Sequence, residues 1–210
     1  LLSLGWLFFY RPVVNSIRYE FQASCLAPPF IFAAFFCLSK KKNILFFVLT
    51  LFLLGFKEHL GAVPIGFGLW YVLRNPQKKL GYFLIIMGIL SIYLLMFELK
   101  PFFRESTIKY NDINMLDPFK DFGSKIIYFF GYLLLPILFI PLLFPKNGIL
   151  AGPAIGINLI SGYSPMYSSH YHYDDVSSTL LLIATIVSLG SIKLHKFELW
   201  IKQNKTLQIF

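Results

Sequence analysis

The chain has 210 residues, of which 57% are hydrophobic and only 14% charged, with a formal net charge of +9. Soluble domains carry about 25% charged residues, and here a mean hydropathy of +0.66 comes from long apolar blocks, which excludes a soluble globular domain. The basic excess does not make a nucleic-acid interface: the lysines and arginines are scattered over loops between apolar runs, where basic charge reports orientation in a bilayer.

Eight apolar segments are predicted in chain order, roughly at 1–10, 24–38, 43–56, 60–73, 80–97, 126–144, 148–162 and 176–192. Leu80 to Phe97 and Ile126 to Phe144 are apolar all round, close to the ~20 residues that a helix needs to cross hydrocarbon. Leu1 to Tyr10 lack a basic lead and a small-residue cleavage site, so they read as the cut end of an earlier helix. The expectation is a C-terminal part of a longer chain. Cys25 and Cys37 share one segment, about 18 Å apart along a helix axis. That is too far for a disulfide, and they read as buried thiols.

The fold class predicted is all-α, a polytopic transmembrane helical bundle of about eight spans. Residues 1–192 form the membrane domain, and 193–210 form a cytoplasmic basic tail. If the Lys40-Lys41-Lys42 turn is cytoplasmic, alternation puts Arg74, Lys78, Lys79, Lys146 and the tail on the same side. That side then holds eleven bases against one acid, Glu198, while the other holds eight bases and nine acids. Such a split is what the preference of cytoplasmic loops for Lys and Arg produces. It places a multi-pass protein in the cell membrane, with its polar clusters facing outward.

Lys57-Glu58-His59 is the sharpest of these clusters, three ionisable residues interrupting about thirty apolar ones. A charge at the bilayer centre costs at least ~2.5 kcal/mol on insertion scales, so such a cluster is read as functional by default. Gly55, Gly61 and Pro64 bracket it and predict a break between two short helices. The competing reading is an ordinary polar hairpin at the interface. The glycines from Gly61 to Gly68 read as close helix packing.

His170 and His172, with Asp174 and Asp175, form the second cluster. Two imidazoles and two carboxylates within six residues can bind a divalent metal, hold a phosphate or shuttle a proton. A solvated loop is the competing reading. The segment 43–56, about 21 Å as a helix, is shorter than the ~30 Å hydrocarbon core, so the Lys57 turn is expected in a protein-lined crevice. Glu20 and Gln22 beside Arg18 and Tyr19 read as an interfacial anchor, or Glu20 as an acid facing that same crevice. The loop from Glu98 to Lys125 reads as a solvated linker, with a substrate lid as the alternative. No phosphate-binding glycine loop, serine elbow or zinc-protease motif is present.

The order of motifs is distinctive. Tyr19-Glu20-Phe21-Gln22 leads into Pro28-Pro29, and Lys57-Glu58-His59 enters a glycine-rich helix. Leu135-Pro136 leads to Pro141 and Pro145, then to a small-residue helix with Pro153 and Asn158. Ser168-Ser169-His170-Tyr171 precedes the last span. Over about residues 1–190 the chain resembles the predicted membrane protein family called domain of unknown function 2079. That resemblance implies kinship with GT-C membrane glycosyltransferases, which move a sugar from a polyprenyl-phosphate carrier on the outer side of the membrane, often with a divalent metal.

In that light Glu58 and Glu20 are the candidate catalytic acids. Lys57, His59, His170 and Tyr171 are the candidate substrate contacts, and His170, His172 and Asp174 the candidate metal ligands. The partners implied are the bilayer and a polyprenyl-phosphate sugar. Where the family shows Asp-Phe-His, this chain has Glu20-Phe21-Gln22, which removes one potential metal ligand. A transporter or flippase for a charged solute is the alternative, because intramembrane Lys, Glu and His also relay protons.

Overall fold

The computed structural model describes residues 26–75, 78–99, 116–168 and 173–203, and their regular structure is helical apart from one isolated β-bridge. Helix α1, Ala27–Ser39, starts on Pro28 and Pro29, whose missing N–H groups cost nothing in a first turn. A turn through Lys40–Lys42 follows, with Lys41 in the left-handed region at φ 57°. Helix α2, Asn43–Leu54, then runs back along α1. Gly55 ends it, and Glu58–Gly61 form a single 3-10 turn before α3, Ala62–Arg74. The predicted break at Lys57-Glu58-His59 is therefore present.

Helix α4 is Lys79–Tyr93 and continues with wider, π-helical turns over Leu94–Leu99. It packs antiparallel on α3, and glycine makes that contact possible. A Cβ added at Gly88 would lie 2.6 Å from the Gly61 carbonyl oxygen, and one added at Gly68 would lie 2.5 Å from that of Gly81. Two glycine pairs, Gly61 at the N-cap of α3 with Gly88, and Gly68 with Gly81, thus let the backbones touch at points seven residues apart. The reading of these glycines as packing residues holds.

The segment predicted as one helix over 126–144 is broken. Alpha-helical Phe122–Ile126 passes into π-helical Ile127–Leu134 and then 3-10 Leu135–Ile137, together α5. Leu138 and Phe139 both take positive φ, and a short turn, Ile140–Leu143, follows. Pro136 and Pro141 are the physical reason, since each removes a backbone donor and collides with the carbonyl four residues back. A turn at Pro145–Gly148 leads to α6, Gly152–Ile160, then a 3-10 turn, Ser164–Tyr167. Helix α7, Asp174–Gln203, runs without interruption through Ile192 into the segment read as a basic tail.

By length and composition, two helices among the described residues can cross a membrane: Lys79–Glu98 and Asp174–Ile192. Ala27–Ser39, Asn43–Leu54 and Phe122–Ile137 are apolar but shorter. Of eight predicted spans, the one at 1–10 lies outside the described residues. The two strong spans differ in environment. The α7 window is 61% buried, whereas that of α4 is 17% buried. Helix α7 is the internal element, and α4 is peripheral. Tyr82, Phe83, Ile86, Ile89, Leu90, Tyr93 and Phe97 form an exposed apolar stripe on α4, and α2 adds Ile44, Leu45, Val48, Leu51 and Phe52. An apolar surface this extensive is what a bilayer covers and water does not.

The buried side of α7 carries Ser177, Ser178, Thr179, Thr185 and Ser188 among its leucines. These hydroxyls bond to carbonyls three or four residues back along the helix: Thr185 to Leu181 at 2.8 Å and Ser188 to Ala184 at 2.7 Å. Their polarity is thereby met within the helix. Asn147 donates to Ser188 at 2.9 Å and accepts from Arg74, whose guanidinium lies over Trp70. This chain of contacts ties the C-terminal end of α3 to α7. It also puts Arg74 and the Pro145–Asn147 turn at one end of the bundle, as the charge alternation predicts.

Candidate functional site: the polar turn at the Lys57 end of the bundle

The C-terminal end of α2 and the N-terminal end of α3 lie opposite the basic turns, and the Lys57-Glu58-His59 turn joins them. Lys57 has an extended backbone, φ −164° and ψ 152°, which carries the chain out of α2 before the 3-10 turn begins. All three residues are half-buried. The Lys57 ammonium lies 5.1 Å from the centre of the Tyr173 ring, and the His59 ring is 6.1 Å from it. Tyr163 meets the same ring edge-on at 6.2 Å. Two motifs more than a hundred residues apart in sequence thus converge on one aromatic side chain.

Tyr173 directly precedes the first turn of α7, where Asp174 and Asp175 are both buried. Carboxylates are favoured there by the positive end of the helix dipole. The Tyr128 phenol donates to Asp174 Oδ1 at 2.7 Å and lies 3.5 Å from the Ser177 hydroxyl. Asn158 donates its amide to the Tyr128 oxygen at 2.8 Å and also reaches the Tyr173 carbonyl at 3.4 Å. Helices α5, α6 and α7 are therefore pinned together by one buried network, and that network fixes the backbone from which Tyr173 faces Lys57. Asp174 Oδ2 is buried without a hydrogen-bond partner among the described residues.

A second polar group joins the start of α5 to the Ser164–Tyr167 turn. Leu116 pairs with Ser161, and the Asp117 side chain caps the following turn by accepting from the Phe119 and Lys120 amides. The buried Lys125 ammonium donates to the Asp117 carbonyl at 2.6 Å and lies 4.9 Å from the Tyr167 ring. Tyr167 donates to Asp121 at 2.9 Å. Burial, followed by that hydrogen bond and the Asp121 charge, pushes the Tyr167 phenol up to about 12. The end of the loop read as a solvated linker is thus anchored in the protein.

Of the sequence-predicted site residues, Lys57, Glu58, His59 and Asp174 are described, and the first and third of these approach the residue next to Asp174. Glu20, His170, Tyr171 and His172 lie outside the described residues. One open carboxylate oxygen on Asp174 is a partial donor set for a metal. No three His, Cys, Asp or Glu side chains converge among the described residues. Tyr128, Asn158, Lys125 and Tyr167 were not singled out by their sequence pattern as site residues. A hydroxyl and an amide inside apolar segments were the signal available, because each must find a partner there.

No curated protein and no solved structure matches the chain. The family described as "Predicted membrane protein (DUF2079)" matches residues 1–210. That match and the exposed apolar belt agree, and the chain belongs to the predicted membrane protein family DUF2079.

Proposed function

We propose that this chain acts as a GT-C-like glycosyltransferase, or as part of one, taking its sugar from a polyprenyl-phosphate carrier on the outer face of the membrane. The observation that carries this reading is the approach of Lys57 and His59 to Tyr173, beside Asp174. Cationic donors suit phosphate oxygens, because charge-assisted hydrogen bonds are roughly twice as strong as neutral ones. Lys57 and His59 would hold the carrier phosphate, with His170 and Tyr171 completing the contact. Glu58, with Glu20 as the second acid, would accept the proton of the attacking hydroxyl. If a divalent metal is bound, Asp174, His170 and His172 are the residues to hold it, and it would supply positive charge to the leaving phosphate.

The test is sugar transfer from a polyprenyl-phosphate donor by the full-length protein in liposomes. Lys57→Ala and Glu58→Gln should each remove transfer while leaving the protein folded. Transfer that ignores both changes contradicts the reading.

A second reading, proton-coupled movement of a charged solute, is favoured by one observation. Asn158, Tyr128, Asp174 and Ser177 form a buried hydrogen-bonded series next to the ionisable turn. Solute flux that follows a pH gradient and is lost in Glu58→Gln would support transport. Flux indifferent to both would exclude it.

A further inference from the structure

A cavity of about 760 Å³ opens at the end of the bundle opposite Lys57. Lys41, Lys78 and Lys79 line it together with Asn43, Asn75 and Tyr71, and among the described residues no acid does. Two helices begin at its wall: α2 at Asn43 and α4 at Lys79. Their N-cap residues are Lys42 and Lys78, and neither start has a side-chain cap hydrogen bond. Neither helix has an acid in its first turn.

This arrangement is the reverse of what a helix start prefers. The first four N–H groups of a helix seek acceptors, and the positive dipole end favours anions. Here both starts carry lysines at the cap instead. Helices α1 and α3 end at the same cavity, so the dipole ends offset one another, and the ammonium groups and the open N–H groups are what an anion would meet. An excess of lysine at this end follows from membrane orientation alone. Two uncapped helix starts facing one cavity, with amide and phenol donors between them, do not. A bound anion would accept from the open N–H groups and offset the lysines together.

We infer that this cavity is a phosphate-binding site for the headgroup of an anionic lipid. The surface beneath it indicates the lipid source. Ile44, 85% exposed, and Leu45 and Val48 on α2 stand beside Tyr82, Phe83 and Ile86 on α4. Phe47 and Phe83 pack edge-on at 5.8 Å and join the two helices. Acyl chains hanging from a phosphate in the cavity would lie along this apolar face. Basic pockets between transmembrane helices hold anionic headgroups in the same way. The inference does not depend on the transferase reading, since it concerns the opposite end of the bundle.

The test uses the full chain in phosphatidylcholine nanodiscs doped with phosphatidylglycerol, with retained lipid counted by native mass spectrometry. One phosphatidylglycerol per chain should be held saturably. Lys78→Gln/Lys79→Gln should weaken retention by about tenfold or more, and Lys78→Arg/Lys79→Arg should preserve it. Lys40→Gln/Lys146→Gln removes two charges at the same end from residues outside the cavity lining, and should have little effect. Equal loss in that control pair, or no loss in Lys78→Gln/Lys79→Gln, would overturn the site. Inorganic phosphate is the second arm. Failure to displace the lipid assigns the site to the headgroup. Displacement that Lys78→Gln/Lys79→Gln abolishes keeps the anion site but assigns it to a soluble phosphate.

Discussion

Tyr128 and Asp174, 46 residues apart in sequence, meet inside the bundle through a 2.7 Å hydrogen bond from phenol to carboxylate. Tyr128 also accepts from Asn158, so its single oxygen joins three helices. Tyr128→Phe removes that oxygen and strands two buried polar groups at once. An unsatisfied buried group costs about 1–3 kcal/mol, so the variant should unfold earlier in mixed-micelle denaturation by an amount in that range. Tyr128→Phe/Asp174→Ala should lose less than the sum of its single changes. Additive losses would mean that the two side chains are not coupled.

The α3–α4 contact depends on glycine at Gly88 and Gly81. A methyl at Gly88 would meet the Gly61 carbonyl oxygen at 2.6 Å, and backbone cannot step aside as a side chain can. Gly88→Ala should therefore destabilise the protein by about 1–3 kcal/mol, the usual cost of overpacking. Gly190→Ala, where nothing lies within 4 Å, should be neutral or mildly stabilising. Comparison of the two in the same denaturant series checks the claim.

Tyr167 gives a pH dependence. Its folded pKa of about 12 exceeds the ordinary phenol value of 10.0. A raised folded pKa means that the neutral phenol is favoured in the fold. Its contribution to stability is complete below pH 10 and is lost as pH rises toward 12. The ultraviolet difference titration between the natural chain and Tyr167→Phe should show one phenol ionising near 12. A step at 10 would contradict the burial of Tyr167 and its Asp121 contact.

Orientation is testable apart from chemistry. A reporter placed after Lys42 and one inserted within residues 100–115 should read opposite compartments, the first cytoplasmic. Two identical readings would end the alternating topology.

Much of this architecture was legible in the sequence, in places where one residue type forces one outcome. Gly55 and Pro64 marked the break around Lys57, Gly61 to Gly68 marked close packing, and the basic turns at Lys41 and Lys78 do share one end. Cys37 is buried, as its apolar segment implied, while Cys25 lies outside the described residues. The apolar run over 126–144 misled because hydropathy reports what a segment can contact and not whether its ladder is continuous. Pro136 and Pro141 broke it. The Tyr128–Asn158–Asp174 network was only half legible: a hydroxyl and an amide in apolar segments each call for a partner, but these partners lie far apart in sequence, so the pattern does not say which one each finds.

The most direct test of the proposed site is saturable binding of a polyprenyl-phosphate analogue to the purified full-length protein. Measured in Lys78→Gln/Lys79→Gln, which removes the anionic-lipid cavity at the opposite end, saturable binding should remain, and adding Lys57→Ala should abolish it. Binding that survives Lys57→Ala in that background, or no binding by a folded protein, would contradict a carrier-phosphate site at the Lys57 end.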